Sequence, residues 1–426
     1  MELMSAIGFL GLSLVLGSIM AKISEKLNIP DIPLLLMLGL ILGPILQIIP
    51  QGGALEIFEY VGPIGLVFIL LGGAFTMRIS LLKKVIKTVI RLDTITLMVT
   101  LIISGIFFNF ILNLPITSPV GYLFGAITCA TDPATLIPVF SKVKVDPEIA
   151  ITLEAESIFN DPLGIVATST ILGMLGLAYV KNPILYFLSL SLGAIIAGVI
   201  FAKIYKYIIY RCEFHEYVSP LVLGGAMLLL YLGEHLIPKY INYGYSGYMA
   251  IAVMALYLGN ELYKLMGDKH KNYEYIVNFS NDLSLLARIF IFVFLGACIN
   301  MEMLIKYLIP GTIVALVSIF IARPLGVFIG LLGSNISFKK CLYFALEGPR
   351  GVVPAALAAT VGVMILKHAD KLPKYVITHI SPKDFSGMII IGTFLTILLS
   401  VILEASWAGI LARKLIGEYK GKKYDH

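Results

Sequence analysis

Apolar runs of about 20 residues follow one another along almost the whole chain, each able as a helix to cross a hydrocarbon core about 30 Å thick. Backbone in lipid must satisfy its own hydrogen bonds, so such a chain folds as a bundle of membrane-spanning helices. Only 14% of the 426 residues are charged, against about 25% in soluble proteins, and mean hydropathy is +0.93. No length remains for a soluble domain. The expected class is an all-α polytopic membrane protein.

Charged and Pro/Gly-rich connections divide the chain into thirteen candidate spans: 2–22, 32–50, 59–79, 85–113, 118–141, 148–176, 183–208, 217–237, 245–264, 277–299, 303–332, 340–366 and 386–414. The first run follows Glu2 without a basic segment and reaches Ala21-Lys22 without a small-x-small cleavage site, so it reads as a span, not a signal peptide. With the N-terminus outside, 22 Lys and Arg fall on inner connections and 7 on outer ones. Positive residues accumulate on the cytoplasmic side, so this orientation, with the C-terminus inside, is expected. The basic residues are spread over six short loops and a tail, which excludes a nucleic-acid surface; the Lys420–Lys423 cluster reads as solvated tail. Cys129, Cys212, Cys298 and Cys341 are isolated, without CxxC or ligand spacing, and are expected to pack as small apolar residues.

Two spans carry breaks. The fifth contains Thr131-Asp132-Pro133-Ala134-Thr135-Leu136-Ile137-Pro138 and the twelfth Glu347-Gly348-Pro349-Arg350-Gly351-Val352-Val353-Pro354. Pro removes a donor and Gly tolerates unusual backbone angles, so both should unwind near mid-membrane. If spans 1–6 and 8–13 are repeats joined by the seventh, the breaks fall in equivalent helices of opposite direction. Such a pair points to an inverted-repeat transporter site.

The densest polar group is Glu156-Ser157-Ile158-Phe159-Asn160-Asp161 in the sixth span. An ionised group in hydrocarbon costs about 2.5–3.5 kcal/mol, so the cluster implies function. Ser157 and Asp161 are four apart and share a helix face; Glu156 and Asn160 share an adjoining one. One face can present a carboxylate and a hydroxyl to a hard cation while the other ties the helix to its neighbours. Unwound carbonyls near Thr131 would complete an oxygen cage for Na⁺, and protons compete for the same oxygens. Asp132 before Pro133 reads as a helix N-cap that can also add charge beside the site. Arg323 is expected to pair with Glu156. Arg350 either offsets the negative C-terminal ends of half-helices or pairs with Glu347. Arg288 has no partner evident in the sequence.

At Thr131-Asp132-Pro133, Glu156-Ser157-x-x-Asn160-Asp161, Arg323 and Gly348-Pro349-Arg350-Gly351 the chain resembles the monovalent cation:proton antiporters. It is most similar to the NhaP-type sodium/proton antiporters, kin to the eukaryotic sodium/hydrogen exchangers. The likeness covers nearly the whole chain. It implies a thirteen-helix NhaA-like inverted repeat with helices 5 and 12 broken and crossing, and a homodimer. It implies a core of spans 4–6 (83–176) and spans 11–13 with a short cytoplasmic tail (301–426). This core would move against an interface part of spans 1–3 (1–82) and of spans 8–10 with connector span 7 (177–300). It puts ion coordination on Asp161, Asp132, Ser157 and the Thr131 carbonyl, with Asn160, Glu156, Arg323 and Arg350 in support. Asn160-Asp161, in place of an Asp-Asp pair, is the pattern associated with electroneutral one-for-one exchange. Some relatives place a Glu in the third span where this chain has Thr76.

The expected function is therefore exchange of Na⁺, or Li⁺, for H⁺ across a cell membrane by alternating access, serving pH homeostasis, with no enzyme chemistry and no cofactor. K⁺/H⁺ exchange on the same fold is the alternative substrate. An intramembrane aspartyl protease using Asp132 and Asp161 would need the Tyr-Asp and Gly-x-Gly-Asp signatures, which neither residue carries, since Thr131 precedes Asp132 and Asn160 precedes Asp161. Paired breaks in opposite halves favour alternating access over a channel.

Overall fold

The computed structural model describes residues 3–133, 136, 145–177, 180, 182–212, 214–241, 244–264 and 271–417. Among these residues all regular structure is helical. In chain order the main elements are α1 (Leu3–Leu27), α2 (Asp31–Ile45), α3 (Gln51–Thr76), α4 (Ile79–Ile111), α5 (Pro119–Thr128) and α6 (Pro147–Met174). There follow α7 (Pro183–Cys212), α8 (His215–Tyr240), α9 (Gly247–Lys264), α10 (Lys271–Ala297) and α11 (Met301–Gly330). The last three are α12 (Phe338–Leu346), α13 (Val352–Lys367) and α14 (Pro382–Ile416). Eight of them (α1, α3, α4, α7, α8, α10, α11 and α14) are long and apolar enough to cross a membrane, while α2, α5 and α13 are shorter apolar helices.

Helix starts follow local chemistry. Asp146 accepts from the Glu148 N–H at 3.0 Å with Pro147 in the first turn, and Ser381 accepts from the Asp384 N–H at 3.1 Å with Pro382 next to it. Asn300 caps α11 through the Met303 N–H at 3.1 Å, which separates the tenth and eleventh runs.

Small residues allow close packing where lipid offers no hydrophobic drive between helices. A Cβ on Gly39 of α2 would lie 2.0 Å from the Val293 carbonyl oxygen of α10. One on Gly121 of α5 would lie 2.2 Å from the Gly105 carbonyl oxygen of α4. The backbones of α4 and α11 each widen for one turn, at Leu92–Thr96 and Ser318–Ala322. The two helices meet there, Thr96 donating its hydroxyl to the Gly326 carbonyl at 3.0 Å. Wide turns of this kind often mark functional positions.

Several expected boundaries move, and two of them bring charged residues into helices. Helix α3 begins at Gln51 instead of 59, because Glu59 pairs with Lys367 at 2.6 Å and so extends the helix in spite of its charge. Helix α4 begins at Ile79 instead of 85, since its basic first turns bury Leu82, Val85 and Val89 on one side. Cys212, expected to pack, is exposed at the end of α7; the other three cysteines are buried. In the fifth span Ala134, Thr135 and residues 137–141 lie outside the described residues, as do Lys142, Lys144, Lys269 and the Lys420–Lys423 tail.

Candidate ion-binding site

Helix α6 presents its polar residues on two sides, as the four-residue spacing requires. On one side Glu156 receives both arms of the Arg323 guanidinium, Nη1 to Oε1 at 2.7 Å and Nη2 to Oε2 at 3.1 Å, fully buried between α6 and α11. The Asn160 side chain holds the strand after α5: its amide donates to the Thr131 hydroxyl at 2.7 Å and its carbonyl accepts the Thr131 N–H at 3.2 Å. This side ties α6 to its neighbours.

The two breaks meet. The Asp132 N–H donates to the Pro349 carbonyl at 2.7 Å, joining the segment after α5 to the one between α12 and α13. The broken backbone finds further partners in side chains. Glu404 of α14 accepts from the Gly348 N–H at 2.5 Å, and Ser400 from the Arg350 N–H at 3.0 Å. Arg323 gives a third bond to the Glu347 carbonyl at 2.8 Å. Non-helical backbone at membrane depth survives only with such partners. Arg350 reaches the Cys129 carbonyl at 3.4 Å, at the C-terminal end of α5, so of its two expected roles the helix-end one is realised.

Glycine is required at both ends of the second break. A Cβ on Gly348 would lie 2.0 Å from Arg323 Nε, and one on Gly351 would lie 2.2 Å from both Cβ and Oδ2 of Asp132. The break, the buried arginine and Asp132 are therefore one packed unit.

The other side of α6 faces a cavity of about 280 Å³. Ser157 and Asp161 line it together with Asp132 and Pro133, and Thr76 of α3, Ser284 and Arg288 of α10 form the opposite wall. Asp161 is 8% exposed, and its Oδ1 has no hydrogen-bond partner among the described residues. Thr131 is buried with its N–H and hydroxyl both engaged by Asn160 and is not in the cavity wall. The N-cap expectation for Asp132 concerns a helix outside the described residues. Arg288 has a partner after all, Asp31 at the start of α2, at 3.5 Å.

Chemically the wall offers the carboxylates of Asp132, Glu154 and Asp161 and the hydroxyls of Thr76, Ser157 and Ser284, with Arg288 beside them. Among the described residues no three His, Cys, Asp or Glu side chains converge as a metal site. The set suits a loosely held monovalent cation better than a resident divalent metal, which takes six to eight oxygens when it is Ca²⁺.

Sequence reasoning passed over two buried acids, Asp93 and Glu404, and named a third, Glu347, only as an alternative partner of Arg350. Asp93 sits in the wide turn of α4, inside the expected fourth span (85–113) and two residues after Arg91. Glu347 and Glu404 are both buried around the second break. Glu404, a lone acid inside the last apolar run, carried the same signal as Asp161 and was legible.

The chain was compared with known proteins. Residues 11–413 match the family model described as "Sodium/hydrogen exchanger, transmembrane". The chain is 70% identical over 422 residues to Na(+)/H(+) antiporter 1 of Methanocaldococcus jannaschii, covering 99% of this chain and 98% of that protein. Among solved structures, that of the sodium proton antiporter MjNhaP1 from the same organism at pH 8 superposes with a TM-score of 0.95, covering 98% of this chain and 100% of that one. A second structure of MjNhaP1, from an electron-microscopy map, gives 0.88 at 70% identity, covering 99% of this chain and 100% of that chain. On a match of this extent the chain belongs to the transmembrane sodium/hydrogen exchanger family.

Proposed function

We propose that the chain exchanges Na⁺, or Li⁺, for H⁺ across the membrane, the two ions alternating on Asp161. The observation that carries this is the division of labour on α6. Glu156 and Asn160 are held by neighbours, whereas Asp161 faces a cavity with Ser157 and Asp132 and keeps an oxygen without a partner. A carboxylate so placed can hold one Na⁺ or one proton, and each ligand excludes the other. If only the occupied site crosses, competition alone gives antiport. One carboxylate exchanging one ion for one proton moves no net charge, so the exchange is electroneutral; Asn160, being neutral, adds no second proton.

The remaining parts of the reading are proposals on the same footing. The chain crosses the membrane thirteen times with the N-terminus outside, the shorter helices α2, α5 and α13 and the polar α6 included. Residues 83–176 and 301–426 form a moving core, and 1–82 with 177–300 form the interface part. In support, the cavity lies along the boundary between them, with α6 on one side and α3 and α10 on the other. A homodimer is supported by α1 and α7, which leave most of their apolar surface uncovered by this chain. Thr76, where some relatives carry a Glu, leaves the ion's shell to be completed by water or another group of the wall.

Reconstituted vesicles with an imposed pH gradient test the proposal. Added Na⁺ should dissipate the gradient, Asp161→Asn should abolish the response, and K⁺ in place of Na⁺ should do little. Full Na⁺-driven dissipation by the Asp161→Asn protein would refute the role of Asp161; a K⁺ response equal to that of Na⁺ would replace the substrate.

A further inference from the structure

A second cavity lies along α6, one to three turns beyond Asp161 toward the Met174 end. It has a volume of about 440 Å³ and meets Ile165, Thr168, Ser169 and Leu172 of this helix. It follows the same boundary between the proposed core and interface parts, with α13 on the core side and α3, α7 and α8 on the other. Leu177, Tyr186, Pro238 and Met364 line it as well, each at or near a helix end, so it opens at the membrane face opposite the one where α6 begins. The two cavities thus sit at the two ends of one seam, with Asp161 between them.

The wall of this second cavity is apolar except for a few hydroxyls and one ionisable acid, Glu234. It stands in a turn of α8 where the backbone widens, Leu232–Leu236. The Gly247 N–H fixes its Oε1 at 2.9 Å. Among the described residues no Lys, Arg or His pairs with it, and its neighbour His235 instead stacks on Tyr231, with ring centroids 5.3 Å apart. Tyr186 and Tyr248 line the same cavity as Glu234. Glu234 is exposed in this cleft, where an uncompensated carboxylate concentrates cations and offers oxygens of the type a hard monovalent cation takes.

We propose that Glu234, with Tyr186 and Tyr248, forms a second binding site for the transported monovalent cation, a staging position on the far side of Asp161 from the first cavity. This rests on the proposed exchange at Asp161. Ions reaching Asp161 from that face are concentrated by Glu234 and then passed inward along the hydroxyls of Thr168 and Ser169. The site acts on capture from one side of the membrane only.

Glu234→Gln is the test, because the amide keeps the carbonyl that accepts from Gly247 while removing the charge. In vesicles containing protein of one orientation, Na⁺-driven proton movement is measured with Na⁺ on either face. The expected result is a KM for Na⁺ raised about tenfold on the Met174 face, the lower end of the range for charge focusing in a cleft, with maximal rate and opposite-face KM unchanged. The difference should shrink as inert salt screens the charge. An unchanged KM on both faces, an equal rise on both, or a salt-independent loss of maximal rate would overturn the proposal. Failure of the underlying exchange is separate: wild-type protein would then show no Na⁺ response, and Asp161→Asn would behave like it.

Discussion

The buried pair of Glu156 and Arg323 allows a quantitative test of how the site is held. In Arg323→Met the Glu156 carboxylate loses both of its bonds at 2% side-chain exposure, and the Glu347 carbonyl loses its donor. Removing one member of a buried ion pair costs about 3–5 kcal/mol, because the other charge stays in a medium that cannot solvate it. In the double variant Glu156→Leu/Arg323→Met no charge is stranded. Only the Glu347 carbonyl is left short, a loss of about 1–3 kcal/mol. The double variant should therefore be more stable than Arg323→Met alone by about 2 kcal/mol. The chain carries its own reporter: its single tryptophan, Trp407, donates to the Leu346 carbonyl at 3.2 Å, next to the break that Arg323 supports. Thermal unfolding in detergent, followed by Trp407 emission, should give midpoints in the order wild type, double variant, Arg323→Met. If Arg323→Met melts with the wild type, or the double variant melts no higher than the single one, the pair does not hold the break and the reasoning fails.

Gly351→Ala should abolish Na⁺-driven proton movement while leaving a folded protein, since its Cβ would displace the Asp132 side chain lying 2.2 Å away; undiminished transport would show that Asp132 can move without loss. Asp384, at the start of α14, accepts from Lys306 at 2.6 Å, Tyr307 at 2.9 Å and Ser381 at 2.8 Å. Burial alone would push its carboxyl up, but these donors prevail and hold it below the usual carboxylate range. A depressed carboxyl stabilises above the unfolded value, about 3.9, and that stability disappears as pH falls through the folded value. Asp384→Asn should thus lower the melting midpoint at pH 7, by an amount worth no more than about 1 kcal/mol, and the gap should close in strong acid. A gap that persists there would mean the effect is not electrostatic.

Much of the site was legible because lipid makes polarity conspicuous. In a run of apolar residues each acid stands out, and Glu156, Ser157, Asn160 and Asp161 could be sorted onto two sides of α6 by counting fours. The pairing of Glu156 with Arg323 followed from the need to satisfy charge, whereas the crossing of the two broken helices was implied only by the family resemblance. Asp93 lay inside the expected fourth span and was as conspicuous there as Glu404; only the packing of α4 shows that it is buried in the wide turn.

The chain's residues by themselves determined that it lies in a membrane, where its helices break, and that Asp161 shares a helix face with Ser157. These follow from hydropathy, from proline and glycine, and from helical periodicity, all of which are local. Only the folded arrangement decided that Arg288 meets Asp31, that Arg350 turns to the end of α5 and not to Glu347, and that a second cavity with Glu234 continues the seam past Asp161. Such pairings join residues hundreds of positions apart. They depend on which helices pack, and side-chain spacing along a chain carries no information about that.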